Sequence, residues 1–248
     1  LTIANYEPQI CILSRTNMNN KIVEIWGFKT FRTFRIYWAL EEFKLKYKSH
    51  KIGSRTGETQ TTAYLDINPK GKIPLFRHND IYISESAAAM QYVCENFDKP
   101  SDFYVPSSPK EKAKIDEWSY MCAMEIDALG VYVMRRHKKV QNGGLANIYG
   151  EAPNAIKAAK DNIARMLKAC EKDVPNKNWL MGECPSCADI MFMSCLQVIK
   201  LYDLELNSQK ILSYYDRSIK RPEYMKAMIE TYGHDTLEKF QKINTLNK

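Results

Sequence analysis

The chain lacks any run of about 18 apolar residues, so no segment is predicted to cross a membrane. It also has no low-complexity or collagen-like stretch, and apolar residues make up 45% of its 248 residues and charged residues 26%. These values are ordinary for a globular protein. Residues 1–17 carry no charged segment followed by an apolar one, so no secretory signal is predicted. We expect a folded cytoplasmic protein with one large domain or two modest ones.

The cysteines lack the pattern of a disulfide framework. Their number is odd, and most of the seven, at positions 11, 94, 122, 170, 184, 187 and 195, lie among apolar residues with helical spacing. Reduced thiols are therefore expected.

The formal net charge is +7, but the lysines are dispersed rather than clustered on one face. This favours a solvated surface, or a cationic cleft for a small anion, over a nucleic-acid partner.

Segments with strand and helix patterns alternate between residues 21 and 98. Strands are predicted over 21–28 and 47–52, a hairpin over 75–83 with its turn at 78–80, and helices over 33–43 and 84–96. We therefore predict an α/β domain at 21–98. We expect residues 1–20 to be an extension outside the fold, and Met18 to be a more natural start than Leu1.

The pattern becomes helical in the second half of the chain. The prolines and serines of 99–109 are typical of a linker, and 110–248 is predicted to be an all-helical domain. Two amphipathic stripes support this, and residues 190–202 are apolar nearly all round, as in the central helix of a bundle. The two stripes are Ile115, Trp118, Cys122, Ile126, Leu129 and Val133, followed by Ile156, Ala159, Ile163, Met166 and Cys170.

The loop Gly71-Lys72-Ile73-Pro74 precedes a predicted strand. A proline at that position often follows a cis bond, because only X-Pro peptides adopt that isomer readily. A cis Pro74 would turn the backbone N–H and C=O of Ile73 outward, toward a peptide-like ligand. The alternative is a plain turn.

Ser84-Glu85-Ser86 begins the next predicted helix and has two interpretations. The side chains can cap the free N–H groups of the helix. Alternatively, the helix terminus and Ser86 bind a carboxylate while Glu85 meets an ammonium group. The second arrangement suits the zwitterionic end of an amino acid.

Four segments in this order resemble the glutathione transferase superfamily: WALEEF (38–43), NPKGKIPLF (68–76), ISES (83–86) and GECPSCADI (182–190). The resemblance implies a thioredoxin-like α/β N-terminal domain, an all-α helical-bundle C-terminal domain and a homodimer. It also implies glutathione as co-substrate and no metal. By this resemblance Ile73, beside cis-Pro74, pairs with the cysteinyl backbone, Glu85 and Ser86 hold the γ-glutamyl end, and Lys72 is a candidate for the glycyl carboxylate.

Ser186 and Asp189 match the helix-capping box of the same family, with a structural role. The nearby Cys184-Pro-Ser-Cys187 has the spacing of a redox motif. That chemistry requires the motif just after a strand near the start of a βαβ unit, whereas here it lies deep in the helical half. We predict no disulfide exchange at this place.

The end of the first strand carries Thr30-Phe-Arg-Thr33 where a thioredoxin-like domain would carry its CxxC. Without a cysteine there, a mixed disulfide is disfavoured, and without a strand-end tyrosine the tyrosine-type transferases are disfavoured. A serine-type arrangement with a threonine hydroxyl is left, on Thr30 or on Thr33. Both threonines have helix capping as an alternative role.

The resemblance leads to three hypotheses. The first is a transferase in which the glutathione thiolate attacks a small, mostly hydrophobic electrophile. The second is a glutathione-dependent peroxidase at the same site, and the third is a non-catalytic binding module. No nucleic acid or membrane is expected as a partner. Six residues on the long helix line a co-substrate pocket or belong to the core: Tyr120, Met121, Met124, Tyr132, Arg135 and Arg136.

Overall fold

The computed structural model describes residues 22–202 and 204–234. The predicted extension at 1–20 lies outside the described residues. Within the described part, no helix combines the length and the apolar character needed to cross a bilayer.

A four-stranded mixed sheet forms the centre of the N-terminal domain. Its strands are β1 (Val23–Trp26), β2 (Tyr47–His50), β3 (Leu75–His78) and β4 (Ile81–Ile83), in the spatial order β2-β1-β3-β4. Strand β1 runs parallel to β2 and antiparallel to β3, and β3 pairs antiparallel with β4. The predicted hairpin is confirmed, and Asn79 makes its turn with a φ of 61°.

Three helices complete this domain and give the predicted thioredoxin-like arrangement. They are α1 (Phe31–Glu42), α2 (Thr62–Ile67) and α3 (Ser86–Asn96), with a short 3₁₀ turn at Glu58–Gln60. Helix α1 makes the crossover that the parallel pair β1 and β2 requires. Ten of its twelve residues are buried, because it contacts α3 and also two helices of the second domain, Cys187–Leu201 and Pro222–Tyr232.

The second domain is helical, as predicted. Its α-helices are α4 (Pro109–Met121), α5 (Val133–His137), α6 (Ala146–Tyr149), α7 (Pro153–Cys170), α8 (Cys187–Leu201), α9 (Gln209–Ser218) and α10 (Pro222–Tyr232). Helix α8 is the predicted central helix, since Cys187–Ile199 is buried without interruption. Residues 97–108 connect α3 to α4, so the predicted linker at 99–109 overlaps α4 only at Pro109.

The long helix that begins at α4 contains a π-helical segment, Cys122–Tyr132, before it continues as α5. Bonds from residue i to i+5 widen each turn and shift the side-chain register. The predicted stripe is therefore wrong at its end: Leu129 is 52% exposed, whereas Val131 and Met134 are buried. The same shift turns Asp127 into the interior, where it is 2% exposed.

A buried ion pair joins the two domains. Arg221, just before α10, donates to the two carboxylate oxygens of Glu42 at 2.6 and 2.7 Å. Glu42 also accepts from the indole N–H of Trp38 at 2.7 Å. Burial raises the pKa of the Glu42 carboxyl, and the hydrogen bonds from Arg221 oppose that shift. The rings of Phe34 and Trp38 both meet Tyr224 of α10 edge to face.

The predicted capping box begins α8, where Asp189 accepts a hydrogen bond from the N–H of Ser186 at 2.8 Å. The CxxC cysteines beside it are not paired with each other. The Cys187 sulfur lies 3.3 Å from that of Cys94 on α3, while the Cys184 sulfur lies 4.0 Å from the carbonyl oxygen of Ser101.

Candidate active site

A cleft of about 490 Å³ lies between the N-terminal domain and the helix carrying the π segment. Six of the seven residues predicted for the site line this cleft: Thr30, Lys72, Ile73, Pro74, Glu85 and Ser86. The seventh, Thr33, is fully buried behind Thr30. The structure thus brings together residues from the start of α1, the loop before β3 and the start of α3.

Thr30 is the N-cap residue of α1. Its hydroxyl oxygen accepts a hydrogen bond from the N–H of Thr33 at 3.2 Å and lies 2.8 Å from the Thr33 hydroxyl. Gly27, after β1, has a φ of +145°, and a Cβ at that position would come within 2.5 Å of the Thr33 hydroxyl oxygen. A glycine at 27 therefore makes room for Thr33, which in turn fixes the Thr30 side chain at the cleft surface.

The loop before β3 is held from below. Tyr64 of α2 donates to the carbonyl of Lys72 at 2.7 Å, and Asn68 donates to the same oxygen at 2.8 Å. The Ile73–Pro74 bond is cis, as predicted. Neither the N–H nor the C=O of Ile73 is hydrogen-bonded to another described residue. A fixed loop thus presents an unpaired donor and acceptor to the cleft, which is what an extended peptide needs to pair with it.

The N-terminus of α3 lies next to this loop. Glu85 is the N-cap residue, but its side chain makes no capping hydrogen bond and is 76% exposed, with Lys70 at 3.8 Å. Ser86 is buried, and its hydroxyl accepts a hydrogen bond from Arg35 at 3.3 Å. Because the Glu85 side chain makes no capping hydrogen bond, the capping interpretation is wrong for this residue. Helix termini of this kind bind carboxylates through free N–H groups.

A buried charge cluster supports the cleft from behind. Asp127 accepts from Arg32 at 2.5 and 3.0 Å and from Arg35 at 3.1 Å, and Arg35 also donates to Ser194 of α8 at 2.7 Å. Burial by itself would lower the pKa of the Arg35 guanidinium. The nearby Asp127 carboxylate outweighs that effect, so the pKa of Arg35 is raised above its ordinary value.

Sequence reasoning missed this cluster. The available signal was an arginine, Arg35, within the otherwise apolar part of a predicted buried helix. Its partner Asp127 belongs to the π segment, whose register shift the helical spacing does not reveal.

The far wall of the cleft belongs to the helical domain and contains Tyr132, Arg135 and Tyr149. Arg55, in the loop after β2, donates across the opening to the hydroxyls of Tyr132 at 3.3 Å and Tyr149 at 3.5 Å. The hydrogen bond from Arg55 lowers the pKa of the Tyr149 phenol. Tyr132 and Arg135 are among the six residues that the sequence assigns to a co-substrate pocket or to the core, and the structure places them in the pocket wall. Arg55 and Tyr149 are not among those six.

The other four residues considered for the co-substrate pocket do not line this cleft: Tyr120, Met121, Met124 and Arg136. Tyr120 and Met124 are each 59% exposed. Across residues 22–202 and 204–234, no three or more His, Cys, Asp or Glu side chains form a group that could hold a metal ion.

Two protein-family models match the chain. Residues 23–95 match the glutathione S-transferase N-terminal domain, and residues 121–226 match the glutathione S-transferase C-terminal domain. Among curated proteins, the glutathione S-transferase TCHQD of Arabidopsis thaliana is 25% identical over 78% of this chain and 84% of its own length. Glutathione S-transferase A of Pleuronectes platessa is 22% identical over 86% and 96%.

Solved structures show the same fold. One is a glutathione transferase homologue from Lodderomyces elongisporus, crystallised with two glutathione molecules per subunit. It superposes with a TM-score of 0.73 at 19% identity, and the match covers 84% of this chain and 97% of the homologue. The glutathione transferase URE2P6 of Phanerochaete chrysosporium, in complex with oxidised glutathione, superposes with a TM-score of 0.69 at 24% identity, covering 90% and 98%.

Proposed function

The chain belongs to the glutathione S-transferase family, and on this premise we propose that it conjugates glutathione to small electrophiles, with Thr30 as the group that stabilises the thiolate. The observation that carries this proposal is the Thr30 hydroxyl at the N-terminus of α1, facing the same cleft as the unpaired backbone of Ile73. Glutathione of the cytosol is accordingly proposed as the co-substrate.

Counting hydrogen bonds favours Thr30 over Thr33 as the donor to sulfur. A hydroxyl has one hydrogen to donate and two lone pairs that accept. The Thr33 N–H, at 3.2 Å, occupies one lone pair of the Thr30 oxygen, and the Thr33 hydroxyl, at 2.8 Å, fills the other when it donates. The hydrogen of Thr30 is then left for a group in the cleft. Thr33 is fully buried and serves as a positioning residue.

The energy required is within the reach of this arrangement. A thiol titrates near 8.5, so a decrease of about two pKa units requires about 2.7 kcal/mol. A hydrogen bond to a charged acceptor supplies about 1.5–3 kcal/mol, and a helix N-terminus about 0.3–1 kcal/mol more. Threonine acts here as a donor to the anion and not as a base.

The other predicted residues orient the tripeptide. Ile73 would pair with the cysteinyl backbone beside Pro74, and the exposed Lys72 would meet the glycyl carboxylate. At the γ-glutamyl end, the carboxylate of Glu85 faces the ammonium group, while Ser86 and the N-terminus of α3 receive the carboxylate. Because Arg35 donates to the Ser86 oxygen, the Ser86 hydrogen is left to donate to the ligand.

With a chloronitrobenzene as electrophile, the thiolate sulfur forms a bond to the ring carbon that carries chlorine. Chloride leaves with the electron pair of the carbon–chlorine bond, and the thiol proton passes to solvent. Thr30 lowers the barrier by maintaining the thiolate at neutral pH.

The decisive experiment is a titration of the thiol of bound glutathione, followed by its thiolate absorbance. In Thr30→Ala the thiol pKa rises toward that of free glutathione and conjugation at neutral pH falls about tenfold or more, whereas Thr30→Ser retains both. Thr61→Ala is the matched control, since Thr61 caps α2 in the same way, through the N–H of Tyr64, but lies outside the cleft.

An unchanged thiol pKa in Thr30→Ala would reject Thr30 as the donor. Failure of the wild type to bind immobilised glutathione would favour a module that does not use glutathione. Turnover of a hydroperoxide without any conjugation of chloronitrobenzenes would favour the peroxidase.

A further inference from the structure

The two walls of the cleft differ in chemistry. The residues proposed for glutathione all belong to the N-terminal domain, whereas the opposite wall carries Tyr132, Arg135 and Tyr149. Tyr132 and Arg135 are three residues apart on a continuous helix, so their side chains lie on one face. Arg55 reaches this wall from the N-terminal domain through its bonds to both tyrosine hydroxyls. The co-substrate side of the cleft is thus aromatic and cationic.

Glutathione does not account for all of the positive charge. Of the five cations that line the cleft, Arg32 is paired with Asp127 and Lys70 with Glu85. Lys72 is assigned above to the glycyl carboxylate of glutathione. The two arginines left, Arg55 and Arg135, face the cleft with no carboxylate partner among the residues that the structure describes.

Arg135 is the more telling of the two. Its Nε atom is buried and has no hydrogen-bond partner within the described part of the chain. A buried donor left without an acceptor is unfavourable. A guanidinium has a planar, fork-shaped set of donors that fits the two oxygens of a carboxylate. An anionic group bound in the cleft would offset the charge of this guanidinium.

We propose that the co-substrate is an aromatic electrophile bearing a carboxylate, which Arg135 and Arg55 bind while Tyr132 and Tyr149 contact the ring. This inference rests on the proposed function and specifies its substrate class. The chemistry is the same displacement, in which sulfur bonds to the ring carbon, chloride leaves with the bonding pair and the carboxylate takes no part in the reaction.

The test compares 4-chloro-3-nitrobenzoate with 4-chloro-3-nitrobenzamide. The two compounds share the leaving group and the reacting carbon, and only the first is charged. The quantity measured is the ratio of their kcat/KM values, each divided by its uncatalysed rate. We expect the wild type to prefer the benzoate at least tenfold and the preference to shrink as salt is added, because salt screens such attraction.

In Arg135→Gln and in Arg55→Gln we expect the ratio to fall toward one. Arg165→Gln is the matched control, because Arg165 is a 67% exposed arginine on α7 outside the cleft, and its ratio should equal that of the wild type. The dependence on salt needs no variant, so the inference is tested even if a substituted chain fails to fold.

The possible failures can be told apart. Turnover of both compounds at a ratio of one or below, or a ratio that salt does not change, overturns this inference alone. An increased KM for glutathione in Arg135→Gln at an unchanged ratio assigns the arginine to glutathione and also overturns it. No turnover of either compound by the wild type overturns the proposed function, and this inference with it.

Discussion

Replacing Asp189 by alanine should destabilise the fold and leave the chemistry of the cleft intact. The Asp189 carboxylate is fully buried and accepts four hydrogen bonds. The donors are the N–H of Leu180 at 2.8 Å, the N–H and hydroxyl of Ser186 at 2.8 and 2.7 Å, and the hydroxyl of Tyr214 at 2.6 Å. One side chain therefore joins the preceding loop, the start of α8 and α9.

The magnitude follows from the donors left without a partner. The two hydroxyls can rotate toward other acceptors, but the backbone N–H groups of Leu180 and Ser186 cannot. At about 1–3 kcal/mol for each unsatisfied buried donor, the loss is about 2–6 kcal/mol. For a chain of this size, about 2–4 °C of Tm corresponds to 1 kcal/mol. The Tm of Asp189→Ala should therefore be lower by about 4–24 °C.

Thermal unfolding followed by circular dichroism measures this decrease, and kcat/KM with glutathione is measured well below the variant's Tm. The chain contains a matched control, because Ser108 and Glu111 form a second capping box at the start of α4. The donors there are largely exposed, so Glu111→Ala should lower the Tm less. A Tm equal to that of the wild type, or lost turnover in a well-folded Asp189→Ala protein, would refute the reasoning.

Two further substitutions test the framework of the cleft. Arg221→Ala leaves the buried Glu42 carboxylate unpaired and should cost about 3–5 kcal/mol of unfolding free energy. Burial raises the pKa of the Glu42 carboxyl in the folded state, so the unpaired carboxyl binds a proton more readily in the folded than in the unfolded chain. Lower pH therefore favours the folded variant. In denaturant unfolding, the variant's loss of unfolding free energy relative to the wild type should be smaller at pH 5 than at pH 8. Gly27→Ala places a methyl group against the Thr33 hydroxyl, at a backbone position with a φ of +145°. The thiol pKa of glutathione bound to this variant should rise. An unchanged thiol pKa would show that Thr33 does not position Thr30.

The sequence was sufficient for the parts of the fold that depend on local signals. Alternation of strand and helix patterns predicted the strands and helices α1 and α3 but not α2, and the loop with Ile73 and Pro74 predicted the cis bond. The cleft lining was predictable because Thr30, Lys72 and Glu85 lie at element boundaries, where short motifs are informative.

The remaining features depend on contacts between segments distant in the chain. The ion pairs of Arg35 with Asp127 and of Glu42 with Arg221 span 92 and 179 residues. Periodicity could not locate the first of these, because the π segment departs from the 3.6-residue repeat that defines an amphipathic stripe. It could not locate Arg55 either, since the cross-cleft bonds of that side chain depend on how the two domains meet.

The burial of α1 on nearly every side bears on how the chain is made. Domains generally fold as units, the N-terminal one first during synthesis. Here Phe34 and Trp38 are covered by Tyr224, a residue added to the growing chain only about 190 positions later. The N-terminal half therefore emerges from the ribosome with an aromatic surface that nothing yet covers. We therefore expect chaperones to bind this surface during translation, until α10 is made and covers it.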